Sequence, residues 1–159
     1  MNREFSSMNS FNEFLQRRLQ DAAVEKSELY EGGLKKAVEF LKEKAKDMFG
    51  HYPPDNAWPQ LSPVTQQLRT QAGYSPNDPL LVTGKLKESV ETHIEGRTAI
   101  VGSKDPIMLY QEKGTRRTGW SEKGIPPRPV FLLVEHKHAH EAVEIFFKSF
   151  VKSLNGLKE

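Results

Sequence analysis

Val90-Glu91-Thr92-His93-Ile94-Glu95-Gly96-Arg97-Thr98-Ala99-Ile100-Val101-Gly102 is the stretch that decides the fold. Val90, Thr92 and Ile94 alternate with Glu91, His93 and Glu95, the period of a strand with one face buried. Glu95-Gly96-Arg97 supplies a turn, and Thr98 to Gly102 follows as a second β-rich run. The rest of the chain reads as helix or loop, so one hairpin among helices predicts an α+β domain: N-terminal helices and a C-terminal helix packed on a small antiparallel β-sheet.

C-terminal to the hairpin, Asp105 to Lys113 reads as a short helix ending at Gly114, and Thr115 to Gly124 as a polar loop expected to be long, flexible and basic. Val143, Phe146, Phe147, Phe150, Val151 and Leu154 then fall at helical spacing, with Asn155-Gly156 as the stop. N-terminal to it, residues 8–49 carry two amphipathic stripes. The first is Phe11, Phe14, Leu15, Leu19, Ala22 and Ala23; the second is Leu34, Ala37, Val38, Leu41, Ala45 and Met48. Lys and Glu on the opposite faces can pair, Glu39 with Lys42 for one. Ser27 is an expected N-cap, and Gly32-Gly33 predicts a break or bend between residues 26 and 33. Between these helices and the hairpin the chain is rich in proline. Ser62-Pro63 predicts a helix from Pro63 to Ala72, with Gly73 at its end and Trp58 and Leu61 as apolar anchors of the flanking loop. The whole, 1–159, reads as a single domain: helical 8–49, a Pro-rich connection 50–79, the motif block 80–131 and a C-terminal helix 132–155.

Composition narrows the function. Nine Phe, two Trp and four Tyr set against 28% charged residues predict a folded domain of 159 residues with one modest core. The absence of cysteine removes disulfides and thiolate metal sites. No apolar run approaches a bilayer span and the first residues lack a secretory h-region, so the expectation is a soluble protein with no membrane partner, made inside the cell. The net charge of +2 is uneven: residues 85–130 hold nine basic and six acidic side chains, so the basic excess sits with the motif block.

No set of residues spells out a reaction. Of His136, His138 and His140, the first and last could share a helix face, but no Glu stands between them in metalloprotease fashion and no Cys or clustered Asp supplies a third ligand; a solvated helix start is the better reading, and no metal or cofactor is expected. Gly102-Ser103 lacks the second glycine of a nucleophile elbow, and no glycine-rich loop precedes a Lys-Ser or Lys-Thr pair. The expectation is a protein without catalytic residues. The basic loop is the stronger signal: Lys113, Arg116, Arg117, Lys123 and Arg128 surround Trp120, suited to a protein interface or to phosphate contact.

The order of short signatures carries a resemblance. Pro54-Asp55-x-x-Trp58-x-x-Leu61-Ser62-Pro63-x-Thr65 is followed by Leu80-Leu81-Val82-Thr83-Gly84-Lys85-Leu86-Lys87-Glu88-Ser89-Val90. Then come the hairpin, Tyr110-Gln111-Glu112-x-Gly114-Thr115, and Ile125-Pro126-Pro127-Arg128-Pro129-Val130-Phe131 leading into a helix. In this order the chain resembles the tailed-bacteriophage virion-morphogenesis proteins, the Mu-like tail completion and head-tail joining group. It departs from their pattern at Val82, where an Asp is common, and at Val130, inserted between Arg-Pro and Phe.

The resemblance implies a structural protein of the virion neck or upper tail, from a phage or prophage and assembled in the host bacterial cytoplasm. It would form a homo-oligomeric ring, expected to be a hexamer. Partners would be the tail tube or tail terminator protein and the head-tail connector or portal-side proteins, with a possible contact to packaged DNA. The alternative is a DNA-contacting accessory module using loop 113–128. Expected interface residues are Tyr110, Thr115, Arg116, Arg117, Trp120 and Arg128, with hairpin residues Val90 to Val101 as sheet-edge contacts. Thr83, Gly84, Leu86, Gly114, Pro126, Pro127 and Pro129 set backbone geometry: Thr83-Gly84 caps a one-turn helix, Gly114 turns the chain, and the prolines hold Arg128 extended so that its guanidinium can fork onto a carboxylate or a backbone carbonyl.

Overall fold

The computed structural model describes residues 27–54, 57–116 and 124–156. In chain order the elements are α1 (Ser27–Asp47), α2 (Pro63–Gln71), α3 (Lys85–Glu88), β1 (Val90–Glu95), β2 (Thr98–Ser103), α4 (Pro106–Lys113) and α5 (Phe131–Gly156). This is the α+β arrangement predicted from the hairpin. The stripe expected at Phe11 to Ala23 and the basic-loop tip, Arg117 to Lys123, lie outside the described residues, as does the Ser27 side chain.

The hairpin pairs in the register its alternation dictates. Val90 faces Ser103, Thr92 faces Val101 and Ile94 faces Ala99, so these residues share the face turned to α1, while Glu91, His93, Glu95 and Ile100 point to solvent. One polar tie crosses that interface. Thr92 Oγ1 donates to Glu39 Oε1 at 3.1 Å, and the other oxygen of Glu39 pairs with Lys42. The Lys42 ammonium, with Thr92 helping, holds the Glu39 carboxyl below its ordinary range.

α1 lies between the hairpin and α5, and its second stripe is what it buries: Ala37, Val38 and Ala45 are inside, with Leu41 and Met48 half-buried. The core proper gathers where the end of α1 meets the start of α5. Ala45, Phe49, Trp58, Leu80, Val90, Met108, Val130 and Val134 form one cluster, so both predicted loop anchors are drawn in, Trp58 into this cluster and Leu61 beside it. The Pro-rich connection is pinned by polar ties. The Tyr52 hydroxyl accepts from Leu61 N and donates to Asn77 Oδ1, and Arg69 Nη1 donates to the carbonyls of Asp78 and Leu81 at 2.6 and 3.3 Å. α2 starts as expected, with Ser62 Oγ accepting from Thr65 N and Pro63 in its first turn.

Two expectations are corrected. From Ser27 onward no break occurs, and Gly32-Gly33 lies inside the continuous helix α1. The glycine is there for proximity: a Cβ on Gly33 would sit 2.9 Å from Phe146 Cδ2 and 3.2 Å from the Phe146 carbonyl, so its absence lets α1 and α5 close up. The C-terminal stripe is helical but only half seated. Phe146 and Phe150 pack edge-on against Tyr30, at centroid distances of 4.9 and 6.2 Å, while Val143, Phe147 and Val151 stay about half exposed. The positions that α5 buries are Val134, Ala142 and Ser149.

Gly32 has open space where its Cβ would be, whereas Gly33 has none. Gly32→Ala is therefore expected to stabilise the fold by ~0.5–1 kcal/mol through helix propensity, and Gly33→Val to destabilise it by ~1–3 kcal/mol through overpacking; urea unfolding of both variants checks the opposite signs. Because the Glu39 pKa is depressed in the folded chain, its stabilisation is present at neutral pH and lost as pH falls through that depressed value. The gap in urea midpoint between the native chain and Glu39→Gln should thus close on acidification.

Candidate functional site

The segments 80–90, 110–115 and 125–131 meet in space, and a glutamate joins the last two. Val130 leads into α5, which opens on Phe131-Leu132; none of the three has a side-chain acceptor and the first turn has no acidic residue, so the leading N–H groups have no local cap. Glu112, at the end of α4, supplies one from a distance. Its Oε2 accepts from Val130 N at 2.7 Å and Phe131 N at 3.2 Å, and its Oε1 from Leu132 N at 3.0 Å. Negative charge at a helix N-terminus is favourable, and hydrogen bonds to an ionised acceptor are the strong kind.

The chain leaves α4 through Gly114, at φ 70°, in the left-handed half of backbone space; a Cβ there would lie 2.8 Å from the Ile125 carbonyl. Thr115 closes the base of the basic loop, its N donating to Ile125 O and its Oγ1 accepting from Ile125 N, both at 2.9 Å. Arg128 N then donates to Gln111 O at 2.6 Å, laying the Pro-rich strand alongside α4.

Arg128 turns inward. Its side chain is 5% exposed, Nη2 donates to the Pro59 carbonyl at 3.0 Å, and Nε has no acceptor. Burial lowers its pKa below the usual guanidinium value; the charge of Arg69 acts in the same direction and Tyr52 opposes it. Beside it the Trp58 indole donates to Pro129 O at 3.2 Å, so the Pro126 to Pro129 segment is tied to the 58–59 loop at two points. A cavity of about 860 Å³ opens here, walled by Leu80, Thr83, Leu86, Ile125, Arg69 and Arg128.

The other predicted residues fall as follows. Tyr110 is half exposed, Arg116 is exposed, Thr115 is half-buried as the loop staple, and Arg117 and Trp120 lie outside the described residues. Arg128 is expected at a surface contact, but its side chain is buried within the chain, where its fork reaches a backbone carbonyl. Gly84, at φ 86°, occupies the cap position of α3 with no side-chain cap, while Thr83 Oγ1 stands 3.5 Å from Lys85 N. Leu86 packs on the core, Pro126 and Pro127 are exposed, and Pro129 is half-buried.

Sequence reasoning missed a second feature, a groove of about 800 Å³ between β2 and α5 with α1 as its floor. Ile100 stands on one wall and Val143 and Phe147 on the other, each more than half exposed. The signal was present in the C-terminal stripe, which is wider than one neighbouring helix can cover.

Among the described residues no cluster of three or more His, Asp or Glu could hold a metal ion. His138 packs edge-on against Phe40, and His138 and His140 lie within 3.6 and 3.5 Å of Glu141 and Glu144. No helix among them is long and apolar enough to cross a membrane. Comparison with protein-family models, curated proteins and solved structures finds no match.

Glu112→Ala removes the acceptor for all three N–H groups, and a loss of about 2–3 kcal/mol is expected. Glu112→Gln, which keeps oxygen and size but not charge, should fall between the two. Denaturant unfolding gives the order, and equal stability of all three chains would refute the cap.

Proposed function

We propose that the chain is a non-enzymatic structural protein of a tailed phage or prophage, acting at the neck or upper tail as one subunit of a ring, expected to be a hexamer, that completes the tail or joins it to the head. The observation that carries this reading is the unpaired hairpin. The sheet has two strands, so among the described residues both outer edges lack a strand partner, and the β2 edge borders the apolar groove. The two edges differ, and joining β1 of one copy to β2 of the next is a head-to-tail contact of the kind that closes into rings. Exposed Ile100, Val143 and Phe147 would be covered by the same contact.

The signatures support the reading in another way. Glu112, Thr115 and Arg128 are engaged in fixing backbone within the chain, while the hairpin edges and the groove remain open to a neighbour.

Ile100→Asp and Val143→Asp place charges on exposed groove walls, and each is expected to unfold within ~0.5 kcal/mol of the native chain while losing higher-order assembly in native mass spectrometry and tail joining in complementation. A native chain that stays monomeric at every concentration and never associates with tails defeats the proposal.

A further inference from the structure

We infer that the cavity walled by Arg69 and Arg128 is a receptor for a carboxylate side chain presented by a partner protein. The assembly reading supplies only the carrier; the receptor stands on the cavity itself.

A guanidinium offers five N–H donors in a planar fork. Arg128, 95% enclosed, gives one to the Pro59 carbonyl through Nη2 and leaves Nε without an acceptor. Arg69 spends Nη1 on the carbonyls of Asp78 and Leu81. Neither forms an ion pair with a described carboxylate. Among the described residues, two cations thus line one cavity without a counter-ion, an arrangement that favours the entry of negative charge.

The other charged groups lining the cavity are Lys85, exposed on α3, and Asp105. Asp105 forms no ion pair with either arginine; its Oδ1 accepts from Ile107 N as the cap of α4. A flat, two-oxygen anion fits the fork of a guanidinium. The space, about 860 Å³, admits a whole acidic side chain with its flanking residues, and exposed Val82 and Ile107 at the lining give apolar neighbours a place to rest. That combination describes an Asp or Glu on a protein segment better than a free ion.

The test uses the full-length, ¹⁵N-labelled chain, titrated with N-acetyl-glutamate N-methylamide and, separately, with sodium phosphate and sodium chloride, with the arginine side-chain N–H signals as readout. The expected result is a saturable shift of the Arg128 and Arg69 signals with the glutamate derivative and a weaker response to phosphate. Arg128→Lys keeps the charge and loses the fork, and should weaken binding about tenfold, read on the Arg69 signal. Lys85→Glu, at an exposed position, sets a competing carboxylate beside the cavity and should weaken it too; it carries the test if Arg128→Lys does not fold. No saturable response in the native chain, a phosphate response as strong as the carboxylate one, or undiminished binding in Lys85→Glu each overturns the inference. Native mass spectra of the same samples separate the two readings: assembled rings with no carboxylate response overturn the receptor alone, and monomers with a saturable response overturn the ring alone.

Discussion

The contact on which the rest of this structure depends is the Glu112 carboxylate against the first three N–H groups of α5. α5 follows directly on Val130, the most deeply buried described residue of the chain's second half, so its N-terminus lies against the core and its N–H groups need a protein acceptor. Local sequence offers none. By bringing the end of α4 to the start of α5, Glu112 fixes where the Pro-rich strand must run. From that follow the alignment of Arg128 with Gln111, the tie of Pro129 to Trp58, and the closure of the basic loop by Thr115. Remove the carboxylate and each of these contacts loses the geometry that positions it.

Most elements were legible before any coordinates, for identifiable reasons. The hairpin alternates with period two; Ser62-Pro63 and Asp105-Pro106 each place a capping oxygen ahead of a proline at the first helical position; Gly73 and Gly114 stand where positive φ is needed. These signals are local and act within a few residues. What escaped was everything set by contacts between distant residues. Glu112 looked like one acid beside a basic loop because its partners lie 18 to 20 residues away. Gly32-Gly33 was read as a helix break on propensity, but the cost of about 1 kcal/mol per glycine is outweighed when a second helix can approach. Nothing within residues 27–47 announces Phe146.

The candidate site divides in the same way. The sequence located the motif block and the residues that shape it, and it left the Arg128 fork to find either a carboxylate or a carbonyl. It could not tell that the carbonyl belongs to Pro59, 69 residues away, and so placed Arg128 at an interface. The apolar groove was hidden for a related reason. A stripe at helical spacing is read as core by default, yet α1 covers only the Phe146 and Phe150 side of α5 and leaves Val143, Phe147 and Val151 in the open.

Exposed aliphatic and aromatic side chains beside an unpaired strand edge are what soluble monomers ordinarily avoid, because such edges recruit further strands. Many chains blunt an edge with charge. Here the charges of β1, Glu91, His93 and Glu95, lie on the outer face of the hairpin, while β2 carries Thr98, Ala99, Ile100 and Val101 and no charged side chain at all. The β2 edge is thus the less protected of the two, and it is the one that borders the groove. A neighbour bringing a polar, charged strand such as β1 to that edge would satisfy the open backbone of β2 and cover Ile100 in one contact. Its own β2 would remain free for the next copy. In the proposed ring, the asymmetry of one small hairpin would give assembly a direction, which a symmetric pair of edges would not.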